Sequence, residues 1–261
     1  MLRALSSAAA GMEAQQTKLD VTANNIANVS TAGFKKSRAE FADLMYQTIR
    51  PAGASTGQGT SAPGPLEVGL GVRVAGTQRI DGQGALQQTN NPLDLAIQGR
   101  GYFPITLPSG ETAYTRNGAF QRDAEGQIVT ADGYQLGDGI TIPPEATSVS
   151  IAADGTISAT IPGDPQPQNL GQLQLATFAN PAGLEAAGGT LFKATAASGE
   201  AIVGTPGADG AGSLLQGSIE GSNVEVVTEM IDLITGQRAY EVNSRVIKAA
   251  DEMLGQTAQL R

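Results

Sequence analysis

Cysteine, histidine and tryptophan are all missing from these 261 residues, and each absence removes a class of chemistry. Without cysteine there is no disulfide and no thiolate metal ligand. Without histidine the Ser-His and Cys-His nucleophile pairs are gone, together with the commonest zinc ligands. Aromatic residues reach only 4%, and no run of about 18 apolar residues offers a membrane-spanning helix. What the chain has in quantity is glycine, 34 residues of it, which points to many turns and light packing. Charge is uneven along it: residues 1–50 carry six basic and four acidic side chains, residues 51–220 six and fifteen, residues 221–261 four and six. So acidic a middle argues against nucleic acid and anionic membrane as partners.

Short motifs that resemble catalytic or cofactor loops all fail on spacing. Gly69-Leu-Gly71, Gly82-Gln-Gly84 and Gly99-Arg-Gly101 begin like dinucleotide loops but lack the third glycine, and no P-loop lysine follows them. The Asp-Gly pairs lack the alternating oxygens and final glutamate of a calcium loop. No cofactor and no metal are expected. Paired carboxylates such as Asp94, Glu111, Asp123 and Glu125 leave a glycosidase as a minor alternative. No aromatic-rich sugar platform adjoins them, and the chain is read as a non-enzyme.

The strongest periodic signal lies at the two ends. Val226, Leu233, Tyr240, Ile247 and Leu254 recur every seven residues without an intervening proline, and Leu5, Met12, Leu19 and Ile26 repeat with the same step. Each set makes one apolar stripe on a long helix, the second roughly 50 Å in length and the first, ending near Val29, roughly 35–40 Å. The opening Met1-Leu-Arg-Ala-Leu-Ser-Ser-Ala-Ala-Ala is read as mature helix rather than a leader, because the stripe runs through the supposed cleavage site. Between the stripes stand small or polar residues: Gln15, Gln16 and Thr22, then Gly236, Gln237, Asn243, Ser244 and Asp251. At about 25 cal/mol per Å² so thin a seam gains little against the entropy of ordering about 60 residues. Further copies of the chain are the simplest source of additional contact, so self-assembly through the nine stripe residues is the first expectation.

The first helix ends in Leu19-Asp-Val-Thr-Ala-Asn-Asn-Ile-Ala-Asn-Val-Ser-Thr-Ala-Gly-Phe-Lys-Lys. Asn24, Asn25 and Asn28 suit helix ends and interhelical hydrogen bonds better than helix interiors, and Gly33, before Phe34, suits a chain reversal. This passage resembles the N-terminal signature of the bacterial flagellar rod and hook protein family. Asn91-Pro-Leu-Asp-Leu-Ala-Ile-Gln-Gly-Arg-Gly-Tyr-Phe, Tyr114-Thr-Arg-Asn-Gly-Ala-Phe, and Ser222-Asn-Val-Glu-Val-Val-Thr-Glu-Met-Ile running into Gln237-Arg-Ala-Tyr-Glu-Val-Asn-Ser extend the resemblance over nearly the whole chain. Its length, Tyr46-Gln-Thr-Ile-Arg-Pro-Ala-Gly and Phe178-Ala-Asn-Pro-Ala-Gly-Leu184 are similar to the members that build the distal part of the rod.

The resemblance implies a structural subunit that polymerises into a rigid helical tube carrying torque from motor to hook. Its implied partners are further copies of itself, proximal rod proteins, the hook protein, the surrounding P and L ring proteins and the flagellar type III export apparatus. It implies a place in the basal body, in the rod crossing the periplasm, reached without a cleaved signal peptide. In such a tube the terminal helices would line the inside and the β domain the outside. A hook or proximal rod subunit of the same family is the nearest alternative. A secreted β-rich adhesin or a phage-tail-like shaft protein is more distant.

Between the ends the pattern changes. Phe34 to Ile49 is an amphipathic segment grouping Phe41, Leu44, Met45 and Ile49, closed by Pro51 and bearing a small basic cluster of Lys35, Lys36 and Arg38. Residues 51–65, rich in Gly, Ser and Pro, are expected as an extended loop. In rod proteins an insertion there is thought to brace adjacent subunits. Alternation at Leu66, Val68, Leu70, Val72 and Val74 opens a series of short strands, with Asp132-Gly133 and Asp154-Gly155 marking hairpins. The expectation is an α+β fold. Residues 1–30 and 223–261 would pair as a coiled-coil-like helical domain, 70–204 would form an inserted, mostly antiparallel β domain, and 31–69 and 205–222 would connect them.

Overall fold

A computed structural model describes residues 2–57, 60–137, 139–162, 166–208 and 210–259. Two long helices stand at the ends of the sequence, α1 over Leu2–Ala27 and α2 over Val226–Gln259. They pack against one another, and between them in sequence lies a mostly antiparallel set of strands, giving the expected α+β class. The chain divides into two compact units. One comprises Met1–Ala27, Ser37–Gln78 and Glu225–Arg261; the other comprises Asn28–Lys36 and Arg79–Val224.

Just before α2, Ser222 accepts a hydrogen bond from the Val224 amide at the end of the second unit, and the helix belongs to the first. Glu225 accepts from the Thr228 hydroxyl at 2.9 Å, and with Glu229 it places two carboxylates where the helix dipole favours them. The segment whose spacing grouped Phe41, Leu44, Met45 and Ile49 is not one continuous element. Ser37–Asp43 pairs with Val72–Arg79, and Tyr46–Arg50 pairs antiparallel with Leu66–Gly69. Leu44 donates its amide to the carbonyl of Gly71, which ties the break between the two strands to the bend at the other side of the ribbon. The four apolar residues therefore cover no helical face: Met45 is 83% exposed, and Phe41 and Ile49 are exposed as well.

Residues 51–65 also carry more structure than their composition suggested. Ser55–Gly57 and Thr60–Ser61 pair as a hairpin tip beyond the longer ribbon; residues 58 and 59 of the expected loop lie outside the described residues. Backbone pairing supplies here what side chains do not, since a ladder needs no bulky residue to satisfy its amides.

The second unit is built around a seven-stranded sheet in the order 121–122, 128–129, 135–136, 103–106, 112–115, 191–193, 185–188, every neighbour antiparallel. A three-stranded sheet, Ser148–Ile151, Thr156–Thr160 and Gln168–Gln172, adds a second layer of pairing. Asp132-Gly133 and Asp154-Gly155 sit in tight connections between paired strands, as their chemistry suggested. Residues 205–222, expected as a connection, are part of this unit: Ser213–Gln216 pairs with Leu95–Gln98 and Ser218–Glu220 with Leu86–Gln88. Alternating short strands with glycine between them read as a linker by composition, yet their partners lie more than a hundred residues away in the chain.

The core of this unit is aliphatic, with Leu95, Ile97, Ile105, Ile128, Ile157 and Leu175 almost wholly enclosed around Phe103 and Phe120, whose rings meet edge to face at 5.1 Å. A smaller aromatic cluster gathers Tyr102, Tyr114, Phe178 and Phe192, also edge to face. Six of the eleven aromatic side chains of the sequence are gathered in these two clusters.

Candidate assembly surface and its anchoring node

The helix pair meets partly through residues that the sequence offered as its weakness, Thr22, Gly236 and Asn243, while Gln16, Gln237 and Asp251 are exposed. Along α2, Glu229, Gly236 and Ala250 are buried and Asn243 is half-buried, a seven-residue series that follows the apolar stripe at the i+3 position. Along α1 the buried positions are Ala8, Ala14, Thr22 and Asn25. Contacts are close because the side chains are short: a Cβ placed on Gly11 would stand 2.9 Å from Asn243 Nδ2, and one on Gly236 would stand 3.0 Å from Leu19 Cδ2. Polar groups complete the seam. Lys18 Nζ pairs with Asp232 at 3.1 Å, and Asn25 Nδ2 donates to the Glu229 carboxylate at 3.1 Å. Asn25 is used twice over, since it also exchanges two hydrogen bonds with the backbone of Ser37.

This arrangement places the nine stripe residues beside the seam rather than at its centre. Leu5, Met12, Leu19, Ile26, Leu233, Ile247 and Leu254 are half-buried, while Val226 and Tyr240 are exposed. The bulky apolar side chains of α2 outside the stripe turn outward: Val227 is 67% exposed, Ile231 60%, Met230 54% and Val242 52%, with Ile234, Val246 and Met253 also exposed. Sequence reading missed these residues because it followed the most regular seven-residue series. The signal that locates them is that glycine and asparagine at 236 and 243 permit close helix approach, so the bulky positions must face elsewhere.

The passage after α1 belongs to the second unit and is anchored there by charge. Lys35 is buried, and its ammonium donates to Glu220 Oε1 at 2.6 Å and to the Gly82 carbonyl at 2.8 Å. The other Glu220 oxygen accepts from Arg116 Nε at 2.9 Å, and the Gly84 amide adds a bond of 2.8 Å to Oε1. Arg116 spends its remaining nitrogens on the carbonyls of Gly99 and Gly101. Burial pushes the Lys35 ammonium below its ordinary value, against the pull of Glu220, and the Arg116 charge acts in the same direction as burial.

Gly33 sits over this node with φ +69°, its amide bonded to the Glu220 carbonyl oxygen at 2.8 Å. A Cβ there would stand 2.4 Å from the Asn117 nitrogen, so both the backbone angle and the space require glycine. Gly118 is held more tightly still, since a Cβ would lie 1.6 Å from the Leu95 carbonyl.

Of the other signature residues, Asn28 accepts from the Thr31 hydroxyl at 3.2 Å and closes the turn through its carbonyl, and the Phe34 carbonyl accepts from the Asn223 amide. Asn24 lies on an exposed part of α1. Asn25 and Gly33 therefore serve different units, although they stand only a few residues apart in one motif.

Three of the four acidic residues weighed for hydrolysis, Asp94, Glu111 and Asp123, have a local task for their carboxylates. Asp94 is buried and accepts from Thr89 and Asn91. Glu111 pairs with Lys193 at 2.7 Å, which holds its carboxyl below the usual range, and Asp123 accepts the amides of Glu125 and Gln127. Burial beside Asp81 raises the Tyr102 phenol far above its ordinary value, so this hydroxyl remains a donor to Asp81 at 2.9 Å.

Three family models match along the chain: the flagella basal body rod protein at residues 5–35, the D1 domain of the flagellar hook protein FlgE/F/G at 96–159, and the C-terminal region of the flagellar basal body rod FlgEFG protein at 215–260. The flagellar basal-body rod protein FlgG of Caulobacter vibrioides is 54% identical over 261 residues, covering 100% of both chains. That of Borreliella burgdorferi is 48% identical over 98% of this chain and 97% of its own, and that of Bacillus subtilis 42% identical over 100% of each.

Proposed function

The chain belongs to the flagellar basal-body rod protein family, and from that premise we propose that it builds the distal rod as a self-assembling subunit of a rigid, torque-bearing tube. The observation that carries this reading is the outward face of α2, where Val227, Met230, Ile231 and Ile234 stand exposed on a helix whose other side is already occupied. A row of large apolar side chains in water loses about 1.5–3 kcal/mol of available burial per residue. Equivalent helices of further copies recover it. Stiffness follows from number: bending the tube requires many staggered helix contacts to slide at once.

The ribbon of Tyr46–Arg50 and Leu66–Gly69 supports the distal assignment within the family. It projects Met45, Tyr46, Ile49 and Leu66 with large exposure, and such a surface suits bracing between adjacent subunits. The partners in this reading are further copies, proximal rod proteins and the hook protein at the ends of the tube, and the P and L ring proteins around it. Delivery is by the flagellar type III export apparatus, and the work done is mechanical rather than catalytic. A hook or proximal rod subunit is the second reading; the hook protein FlgE of Helicobacter mustelae aligns with 51% of this chain and 30% of its own, which favours the rod.

Electron microscopy of purified basal bodies with this chain labelled tests the assignment. The label is expected along the rod segment nearest the hook. Label confined to the hook, or absent from the basal body, would remove the proposal.

A further inference from the structure

Beside the anchoring node lies a cavity of about 110 Å³ whose wall carries more positive charge than the protein neutralises. Lys35, Arg100 and Arg116 line it, with Asp81, Tyr102 and Phe178. Two of the three cations, Lys35 and Arg116, are almost fully enclosed and share the single carboxylate of Glu220. Asp81 is already engaged by Arg79 at 3.3 Å and by the Tyr102 hydroxyl. Arg100, exposed at the cavity, makes one long bond of 3.5 Å to the Phe178 carbonyl. Counting Arg79, which lies outside the lining, four cations therefore stand against two carboxylates, Glu220 and Asp81, in a unit that elsewhere is acidic.

Lys35 and Arg116 set two buried charges against the one of Glu220, with backbone carbonyls completing their hydrogen bonds, and a bound anion would balance the remaining charge. The volume admits several waters or one small anion and nothing of nucleotide size. Gly99 and Gly101, which flank Arg100 at φ +111° and +136°, are fixed by the bonds from Arg116 to their carbonyls, so the wall is preformed.

We propose that this cavity is a carboxylate-binding site in which Arg100 closes on the anion and the Lys35–Arg116 pair supplies the field. In the assembled state the carboxylate is an Asp or Glu side chain of another copy, a source the chain has in excess at net charge −9; in the free chain a small soluble carboxylate takes the same place. The neighbour-copy source rests on the assembly reading above, whereas the site itself does not.

The test uses the purified full-length chain. At constant ionic strength, exchanging sodium chloride for sodium acetate is expected to raise the melting temperature by about 2–4 °C, and Arg100→Gln is expected to abolish that rise while keeping the wild-type circular dichroism. Equal melting in the two salts, or an undiminished acetate effect in Arg100→Gln, overturns the site. Arg100→Glu separates the two sources. An increase of about tenfold or more in the concentration needed for assembly supports the side chain of another copy, while unchanged assembly together with an intact acetate effect in the wild type supports a soluble carboxylate. Failure of wild-type assembly would count against the assembly reading and leave the acetate comparison fully decisive for the site.

Discussion

Replacing Glu220 by Ala should lower the stability of the β unit by about 3–5 kcal/mol, as much as truncating a buried core phenylalanine. The carboxylate is wholly enclosed and joins three parts of the sequence: the post-helix turn through Lys35, the strand region at Arg116, and the bend at Gly84. Its removal leaves two buried cations facing each other with only carbonyls for compensation. Glu220→Gln keeps the shape and loses the charge, so it should fall nearly as far. Glu111→Ala is the control, because its pair with Lys193 lies in solvent and exposed pairs contribute little. Thermal unfolding followed by circular dichroism reads the comparison. A Glu220→Ala protein that melts with the wild type would show that the node is not what holds this segment in place.

Ile231→Asp should abolish assembly while leaving the isolated chain as stable as before. The side chain is 60% exposed and stands off the seam with α1, so a carboxylate there is hydrated in the free chain and substitution at such a site changes stability little. Between packed helices the same carboxylate would be buried without a partner, which costs several kcal/mol per copy. Repetition along a polymer makes the penalty decisive. Gly236→Leu makes the complementary case: its first side-chain atom would already meet Leu19 at 3.0 Å, so it should part the helix pair itself. Sedimentation velocity distinguishes the two, and polymers of normal length from Ile231→Asp would refute the outward face as the contact surface.

The ends of this chain were far more legible in its sequence than its middle. A helix writes its burial into a period of three to four residues over many turns, and 26 and 34 residues are long enough for that signal to survive. Which of two adjacent seven-residue series forms the seam was not legible, because hydrophobicity alone ranks Leu233 and Ile247 above Gly236 and Asn243. Close approach favours the small residues, and that preference appears only when the partner helix is present.

Strands of two to five residues carry too few positions for alternation to show. Phe103–Thr106 and Thr112–Thr115, central to the large sheet, gave no separate sign. Ser213–Gln216 and Ser218–Glu220 were hidden in a glycine-rich passage. The anchoring node was equally invisible, since Lys35, Arg116 and Glu220 are far apart in sequence and each alone looks like an ordinary surface charge. The signature around Asn25 and Gly33 was readable as a motif, but its division of labour between two units was not.

Hydrogen exchange of the two helices in dilute solution and in the assembled state is the most direct test of the small-residue seam as a deliberately insufficient one. Amides of Leu2–Ala27 and Val226–Gln259 should exchange quickly in the dilute chain and become protected by orders of magnitude on assembly, while the core strands around Phe103 and Ile157 stay protected throughout. Strong protection of both helices in dilute chains, unchanged by concentration, would contradict the account.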